Sequence, residues 1–155
     1  MRIGHGYDVH RLEPGTQLIL GGVPIPYKSR LIGWSDADVL IHAIIDALLG
    51  AAGLGDIGAH FPPGDPQLEG ISSLILLKRV IILIREKGYQ VSNIDATIVA
   101  EQPRLRGYID KMRTTIAEAL DCPFDSINIK ASTQEGLGFV GHEEGLIAWA
   151  VALIE

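Results

Sequence analysis

The sequence predicts a single α/β domain, spanning residues 1–155, in which helices pack on one face of a mixed β-sheet. Segments rich in β-branched or alternating apolar residues are interspersed along the chain with apolar segments of helical spacing. A length of 155 residues suits one domain with a sizeable core. The hydrophobic fraction of 47% and the charged fraction of 21% are ordinary for a soluble globular protein.

Four segments are predicted to form the sheet, and a fifth region forms a small N-terminal hairpin beside it. The sheet segments are residues 2–10, 90–100, 126–131 and 145–154. The hairpin is predicted for residues 17–26, where Gly21-Gly22 separates two short apolar runs. The apolar segment 145–154 suits a strand or a helix. We assign it to a strand, which completes a four-stranded mixed sheet.

Three helices are predicted between the strands. The first runs over residues 37–53 with Ser35 or Asp36 as its cap, and the others run over residues 71–87 and 106–120. The segment between the first two helices, residues 54–70, is rich in Gly and Pro and is predicted to be a loop. Loops of this length are usually functional lids or disordered, and the few charges and two apolar anchors of this one favour an ordered lid over the alternative of a plain surface loop. Ile57 and Phe61 are its expected anchors.

Charge and cysteine content restrict the possible partners and location. The net charge of −6 argues against a nucleic-acid partner. The single cysteine, Cys122, excludes an internal disulfide and suits a reducing cytoplasm. The N-terminus lacks an apolar signal core. The longest apolar run is interrupted by Lys78 and Arg79 and is too short to span a membrane, so no membrane association is expected.

Asp8, His10 and His42 form a candidate set of metal ligands. On a strand, Asp8 and His10 project to the same face, which would turn Val9 to the core. His42 would add a ligand from the first predicted helix. Two imidazoles and one carboxylate are typical of a catalytic zinc site with an open fourth position. The spacing is also compatible with a helix on which Asp38, His42 and Asp46 form a solvated face, so both interpretations stay open on the residues alone.

The segment Lys130–Gly136 leaves a predicted strand and enters a turn. It brings together one cation, two hydroxyls and the carboxylate of Glu135. Lys and hydroxyl groups suit a diphosphate, and a glutamate suits a hard cation that bridges phosphates. An ordinary polar turn is the alternative. His60, in the predicted loop, is expected to be a surface histidine and not a ligand.

Several long motifs together resemble one enzyme family, and the resemblance covers essentially the whole chain. The sequence is similar to the 2-C-methyl-D-erythritol 2,4-cyclodiphosphate synthases of the non-mevalonate isoprenoid pathway. The motifs that carry this resemblance are Arg2-Ile3-Gly4-His5-Gly6-Tyr7-Asp8-Val9-His10, Ser35-Asp36-Ala37-Asp38-Val39, His42-Ala43, Asp46-Ala47-Leu48-Leu49-Gly50, Gly55-Asp56-Ile57-Gly58, Phe61-Pro62 with Asp65-Pro66, and Leu137-Gly138-Phe139.

The resemblance implies a homotrimeric phosphorus–oxygen lyase whose active sites lie between neighbouring subunits. It implies Zn²⁺ bound by Asp8, His10 and His42, and Mg²⁺ or Mn²⁺ bound by Glu135 and bridging the α- and β-phosphates. The implied substrate is 4-diphosphocytidyl-2-C-methyl-D-erythritol 2-phosphate. Its 2-phosphate attacks the β-phosphorus, the cyclic diphosphate forms, and CMP leaves. Such a phosphoryl transfer requires mainly positioning and charge neutralisation.

The resemblance also implies a set of substrate contacts. Thr133 is counted with the metal ligands as catalytic, and Asp46 is implied to support a zinc-bound histidine. The positions implied to surround the cytidine are Ala100, Arg104, Leu105, Ala131 and Thr133. The other implied substrate-binding positions are Ser35, Asp36, Asp56, Gly58, Asp65, Ser132, Phe139 and His142.

A few positions depart from the pattern that the resemblance implies. Trp34 and Pro63 stand where histidine and aspartate are usual, and Arg104 stands where lysine is common. His142 replaces an arginine that, with Glu144 nearby, lines an anion site in the central cavity of the trimer. We therefore predict an active synthase with an altered grip on its substrate. The alternatives are a zinc hydrolase of another nucleoside diphosphate derivative and a catalytically silent binding protein of the same fold.

Overall fold

The computed structural model describes residues 1–155, which form seven strands and five helices. The strands are β1 (Arg2–Pro14), β2 (Gln17–Leu20), β3 (Val23–Pro26), β4 (Ser29–Leu31), β5 (Val91–Val99), β6 (Ile127–Ser132) and β7 (Gly145–Ile154). The helices are α1 (Val39–Ala52), α2 (Ile57–His60), α3 (Ser73–Glu86), α4 (Ile109–Leu120) and α5 (Gly138–Gly141). Single 3₁₀ turns lie at Pro66–Leu68, Arg106–Tyr108 and Phe124–Ser126.

The main sheet has five strands in the order β4-β1-β7-β5-β6. Only β5 and β6 are parallel, so the sheet is mixed as predicted. Strands β2 and β3 form the predicted separate hairpin. The prediction of four strands was wrong, because β4 adds an edge strand that pairs with residues 12–14 of β1. A three-residue strand is too short to produce a recognisable alternation in the sequence.

The inner face of the sheet packs closely against α1. Gly4 and Gly6 are the buried residues of β1 that face this helix. A Cβ atom on Gly6 would lie 1.9 Å from the carbonyl oxygen of Ala43, and one on Gly4 would lie 1.9 Å from that of Ala47. The two glycines therefore let the helix backbone approach the strand at a distance that no other residue would allow.

The opposite, outer face of the sheet carries exposed apolar side chains on β1 and β7 and polar ones, such as Asp95 and Lys130, on β5 and β6. Its exposed large side chains are Ile3, Tyr7, Val9, Trp149 and Val151. The expectation that Val9 turns to the core was therefore wrong, since 42% of its surface is exposed. Asp8 and His10 occupy the helix side of β1, together with the two glycines, and this alternation places Val9 on the outer side.

Helix α1 begins later than predicted, at Val39, because Asp38 and neither Ser35 nor Asp36 is its N-cap. The Asp38 carboxylate accepts the backbone N–H of Ile41 at 3.1 Å. It also accepts the N–H groups of Gly21 at 3.0 Å and Gly22 at 2.7 Å, which ties the β2–β3 turn to the helix. Asp38 is fully buried, and this burial raises its pKa to about 6. Helix α1 ends at Gly53, whose φ of 69° is left-handed.

The segment between α1 and α3 is ordered by its own local structure. It contains the short helix α2 and one 3₁₀ turn, and the side chains of Ile57 and Phe61 pack against the hydrophobic core. The anchors predicted for an ordered loop are therefore confirmed. None of the helices is both long enough and apolar enough to cross a membrane.

Candidate metal centre and adjoining clefts

Three side chains from β1 and α1 converge on one point. Asp8 Oδ2 lies 3.0 Å from His10 Nε2 and 3.0 Å from His42 Nδ1, and the two imidazole nitrogens are 3.1 Å apart. Tetrahedral ligands held at the usual zinc distances are separated by about 3.3 Å. The three atoms therefore form a triangle of nearly the size that one metal ion requires, and they can bind a metal. The predicted ligand set is brought together as expected.

Each histidine of this triad is held through its second ring nitrogen. The Nδ1 atom of His10 lies 2.6 Å from the carbonyl oxygen of Ile32, to which it donates. The Nε2 atom of His42 lies 2.8 Å from Ser73 Oγ and 3.1 Å from Ser35 Oγ. These contacts leave His10 Nε2 and His42 Nδ1 directed at Asp8. Both imidazoles thus present one nitrogen to a shared site and anchor the other in the protein.

The charges of the triad reinforce one another. Burial alone would raise the pKa of Asp8, but its hydrogen bonds to His10 and His42 and the charges of both rings outweigh burial and lower the pKa to about 2. Burial would lower the pKa of His10, but its hydrogen bond to Asp8 outweighs this effect and raises the pKa. The Asp8 carboxylate therefore stays ionised and available as a ligand.

The polar positions of α1 are not the solvated helix face that was considered as an alternative. Asp38 and His42 are buried, with 0% and 8% of their surfaces exposed. The Asp46 carboxylate accepts the backbone N–H of Ile57 at 2.7 Å and makes no hydrogen bond to a histidine. Asp46 therefore anchors the start of α2 beside the metal centre.

A cavity of about 180 Å³ opens directly over the triad. Its walls are mostly apolar, and Trp34 forms one of them. The indole Nε1 of Trp34 donates to the carbonyl oxygen of Asp65 at 2.8 Å, and its own carbonyl accepts the N–H of Gly70 at 2.8 Å. Trp34 thus holds both ends of the segment 65–70 at the cavity. Besides the triad and Trp34, the cavity is lined by Ser35, Ile57, Gly58, Phe61, Pro63, Leu68 and Leu76.

The residues expected around a cytidine line a different, larger cleft of about 690 Å³. Ala100, Arg104, Leu105, Ala131 and Thr133 all lie in its walls, together with Ser132. This cleft and the cavity over the triad share no lining residue. Within one chain, the two groups of predicted site residues therefore form two separate sites.

Glu135 lies in a tight turn beside this cytidine-side cleft, with a left-handed φ of 54°. Its backbone N–H donates to Thr133 Oγ1 at 3.3 Å. The carboxylate of Glu101 accepts the backbone N–H groups of Gln134 at 3.1 Å and Gly136 at 3.3 Å. Glu101 thus holds the turn that presents Glu135 and Thr133.

The remaining predicted site residues lie in two places. Asp56 and Asp65 accept backbone N–H groups of Ala59 and Gln67, each at 2.9 Å, and so cap short turns near the cavity. Phe139 and His142 lie exposed in and after α5. His60 is half-buried and its Nε2 donates to the carbonyl of Leu54 at 2.8 Å, so it lies away from the triad ligands.

Two residues with a clear part in these sites were missed by the sequence analysis. Ser73 contacts His42 from 31 positions away, and Glu101 reaches Gly136 from 35 positions away. Neither lies in a motif with recognisable spacing. Long-range contacts of this kind leave no periodic signal in a single sequence.

The fold and the triad together define an α/β protein with two histidines and one carboxylate that can bind a metal ion, a ligand set used by metal-dependent enzymes. The sequence model of the YgbB family matches residues 1–155, and the chain belongs to this family. The family resemblance predicted from the motifs is confirmed.

Relatives named as synthases match along the whole chain. The chain is 63% identical over 155 residues to the 2-C-methyl-D-erythritol 2,4-cyclodiphosphate synthase of Dehalococcoides mccartyi, covering 100% of this chain and 99% of that protein. It is 55% identical over 154 residues to the synthase of the same name from Azotobacter vinelandii, covering 99% of this chain and 98% of that protein.

Solved structures share the fold. The bifunctional IspDF of Campylobacter jejuni matches with a TM-score of 0.95 and 40% identity, over 99% of this chain and 42% of that chain. The CDP complex of IspF from Plasmodium falciparum matches with a TM-score of 0.86 and 32% identity, over 99% of this chain and 94% of that chain. The α/β fold with a mixed sheet is therefore shared with these proteins.

Proposed function

We propose that this chain is a 2-C-methyl-D-erythritol 2,4-cyclodiphosphate synthase of non-mevalonate isoprenoid biosynthesis, acting as a phosphorus–oxygen lyase. It converts 4-diphosphocytidyl-2-C-methyl-D-erythritol 2-phosphate to the 2,4-cyclodiphosphate with release of CMP. The observation that carries this proposal is the convergence of Asp8, His10 and His42 within 3.1 Å of one another in a chain 63% identical to such a synthase.

Asp8, His10 and His42 are the proposed ligands of Zn²⁺, and Glu135 is the proposed ligand of Mg²⁺ or Mn²⁺. When bound, these ions would supply positive charge to the phosphate oxygens of the substrate. The donor set supports this assignment, because two imidazoles and one carboxylate suit zinc whereas an isolated glutamate suits a hard cation.

The side chains of this protein position the reacting groups. An oxygen of the 2-phosphate forms a bond to the β-phosphorus, the bond from this phosphorus to the oxygen shared with the α-phosphate breaks, and CMP leaves. Ile57 and Phe61 contribute apolar walls to the cavity over the triad, in which the reacting phosphates would be less solvated than in water. The hydroxyl of Thr133, which accepts the backbone N–H of Glu135, is the proposed contact to the diphosphate. Such positioning is the main protein contribution to phosphoryl transfer.

We propose a homotrimer in which each active site lies between two subunits. One chain holds the triad and the cytidine-side residues in separate clefts, so a single substrate needs the triad of one subunit and the cytidine cleft of its neighbour. The exposed apolar side chains on β1 and β7 support association, because a cluster of exposed apolar side chains marks an interaction surface. Closed cyclic symmetry is the usual form of such an assembly.

The cavity over the triad disfavours the alternative of a zinc hydrolase. Hydrolysis requires a general base beside the open metal position. Apart from the triad, the cavity is lined by serine, tryptophan, glycine, proline and aliphatic or phenyl side chains, and it contains no further carboxylate or imidazole. A catalytically silent binding protein is disfavoured by the complete ligand set. The single cysteine is consistent with action in the reducing cytoplasm.

The experiment that tests this function is an assay of CMP release from the cytidyl substrate. We expect release only when Zn²⁺ and Mg²⁺ or Mn²⁺ are both present, and loss of release in the His42→Ala protein. A wild-type protein that binds zinc but releases no CMP under these conditions would rule out the proposed reaction.

A further inference from the structure

A chain of hydrogen bonds extends from His42 away from the metal centre. The Nε2 atom of His42 lies 2.8 Å from Ser73 Oγ. Ser73 Oγ in turn donates to Asp36 Oδ1 at 2.5 Å. Ser73 is completely buried, with 0% of its surface exposed, and it is the first residue of α3. These hydrogen bonds therefore link α1, α3 and the segment before α1 beneath the triad.

The carboxylate of Asp36 determines the direction of every bond in this chain. Its Oδ1 also accepts the backbone N–H of Asp38 at 3.2 Å, and its Oδ2 accepts the backbone N–H of Ser73 at 2.9 Å. An ionised carboxylate only accepts hydrogen bonds. The single hydroxyl proton of Ser73 is therefore given to Asp36, and only the lone pairs of Ser73 Oγ face His42.

The direction of this hydrogen bond also determines whether the metal-facing nitrogen of His42 carries a proton. A neutral imidazole carries one N–H and one lone pair. Since Ser73 can only accept from it, Nε2 carries the proton and Nδ1 keeps the lone pair. The Nδ1 atom is the one that lies 3.0 Å from Asp8 Oδ2 and 3.1 Å from His10 Nε2.

We infer that Ser73, directed by Asp36, is a positioning residue that fixes the tautomer and ring orientation of His42 for metal binding. The inference rests on the proposed metal centre and adds two residues to it. It also gives Asp36 a structural role, because both of its oxygens accept hydrogen bonds from Ser73 or Asp38. Ser35 Oγ lies 3.1 Å from His42 Nε2 and also accepts the N–H of Ala37, so its remaining lone pair is a second acceptor within reach of Nε2.

The direct test is nitrogen NMR of the unmodified protein, labelled with ¹⁵N-histidine and loaded with zinc. The His42 signals are assigned by comparison with the His42→Gln protein. We expect Nε2 to carry the proton and Nδ1 to be the zinc-bound nitrogen. A zinc-loaded wild-type protein in which Nδ1 carries the proton would overturn the inference.

The second test compares zinc affinity between two adjacent serines by competition with a chelator. Ser73→Ala removes the acceptor, and we expect zinc affinity to fall by about 10- to 100-fold, as is typical when such a partner is lost. Ser72→Ala is the matched control, because Ser72 is the N-cap of α3 but its side chain makes no cap hydrogen bond. We expect wild-type affinity in that control.

The outcomes separate this inference from the proposed function. If the wild-type protein binds no zinc, the metal centre itself is refuted. If the wild-type protein binds zinc and Ser73→Ala binds it equally well, the metal centre stands and the role of Ser73 is refuted. Should Ser73→Ala fail to fold, the NMR measurement on the unmodified protein decides the question alone.

Discussion

The Nδ1 atom of His42 lies 3.0 Å from Oδ2 of Asp8, although the two residues are 34 positions apart in the chain. The contact exists because α1 lies directly on β1. Gly4 and Gly6 remove the side chains that would otherwise separate the helix from the strand. The geometry of the metal centre therefore depends on backbone packing several residues away from the ligands.

Gly6→Ala tests this dependence. The added methyl group would lie 1.9 Å from the Ala43 carbonyl oxygen, so strand and helix must separate. We expect the free energy of unfolding to fall by about 3 kcal/mol or more, the upper range for overpacking, and zinc affinity to fall with it. Urea denaturation and chelator competition measure the two effects.

Gly50→Ala is the matched control for this substitution. Gly50 lies within α1 but is exposed, and its added Cβ atom would meet only the His5 carbonyl, at 4.0 Å. Glycine in a helix interior is less stable than alanine, so we expect this variant to gain about 0.5–1 kcal/mol. Equal effects of the two substitutions would contradict the role assigned to Gly6.

Asp38 gives the protein a predictable pH dependence. Its pKa in the folded protein is about 6, against an ordinary value of 3.8. Between these values the folded protein binds a proton that the unfolded chain does not. The stability of wild type relative to Asp38→Asn should therefore rise by on the order of 3 kcal/mol as the pH falls from about 7 to about 4. This additional stability of wild type should be lost again as the pH rises through 6.

Urea denaturation of both proteins at a series of pH values measures this difference. The low pKa of Asp8 affects wild type and Asp38→Asn alike, so it cancels in the comparison. A stability difference that does not change with pH would show that Asp38 has the same pKa in the folded and unfolded states.

Trp34→Phe tests whether the indole holds the segment 65–70 at the cavity. The substitution keeps an aromatic ring but removes the N–H that donates to the Asp65 carbonyl at 2.8 Å. A neutral hydrogen bond contributes about 1 kcal/mol, so we expect amide hydrogen exchange in this segment to become about five-fold faster. Trp149→Phe, on the outer face of the sheet, is the control in which exchange should not change. Unchanged exchange in Trp34→Phe would show that the indole N–H does not hold the segment 65–70 at the cavity.

Mixed trimers test whether active sites lie between subunits. His42→Ala and Glu135→Gln should each be inactive alone. On random assembly, about one quarter of the sites in an equal mixture would combine an intact triad with an intact Glu135 from the neighbouring chain. We expect co-expressed, differently tagged chains to recover about that fraction of wild-type CMP release. A mixture as inactive as its parents would place each site within one chain.

The sequence was informative wherever a pattern was local or a motif was long. The alternation of Asp8 and His10, the Gly21-Gly22 hairpin and the anchors Ile57 and Phe61 were all predicted correctly. The orientation of Val9 was not, because an apolar residue on a strand gives no indication of which face the helices cover. Here the outer face around Val9 also carries the large apolar side chains of Tyr7 and Trp149.

Local sequence patterns could not predict where α1 begins or which residues hydrogen-bond to His42. Ser35, Asp36 and Asp38 are all residues that favour an N-cap, and only the position of the β2–β3 turn selects Asp38. Asp36 instead accepts from Ser73, which lies 37 positions further along the chain. Contacts of this range arise from tertiary packing and are not encoded in spacing.

The most direct test of the proposed function is the mass of the product formed from 4-diphosphocytidyl-2-C-methyl-D-erythritol 2-phosphate with Zn²⁺ and Mg²⁺. Attack by the 2-phosphate gives CMP and a cyclic diphosphate, whereas attack by water gives CMP and a linear bisphosphate that is heavier by one water molecule. We predict the cyclic product alone, and its absence from the His42→Ala reaction. A linear bisphosphate as the main product, or no product from a zinc-loaded protein, would contradict the account.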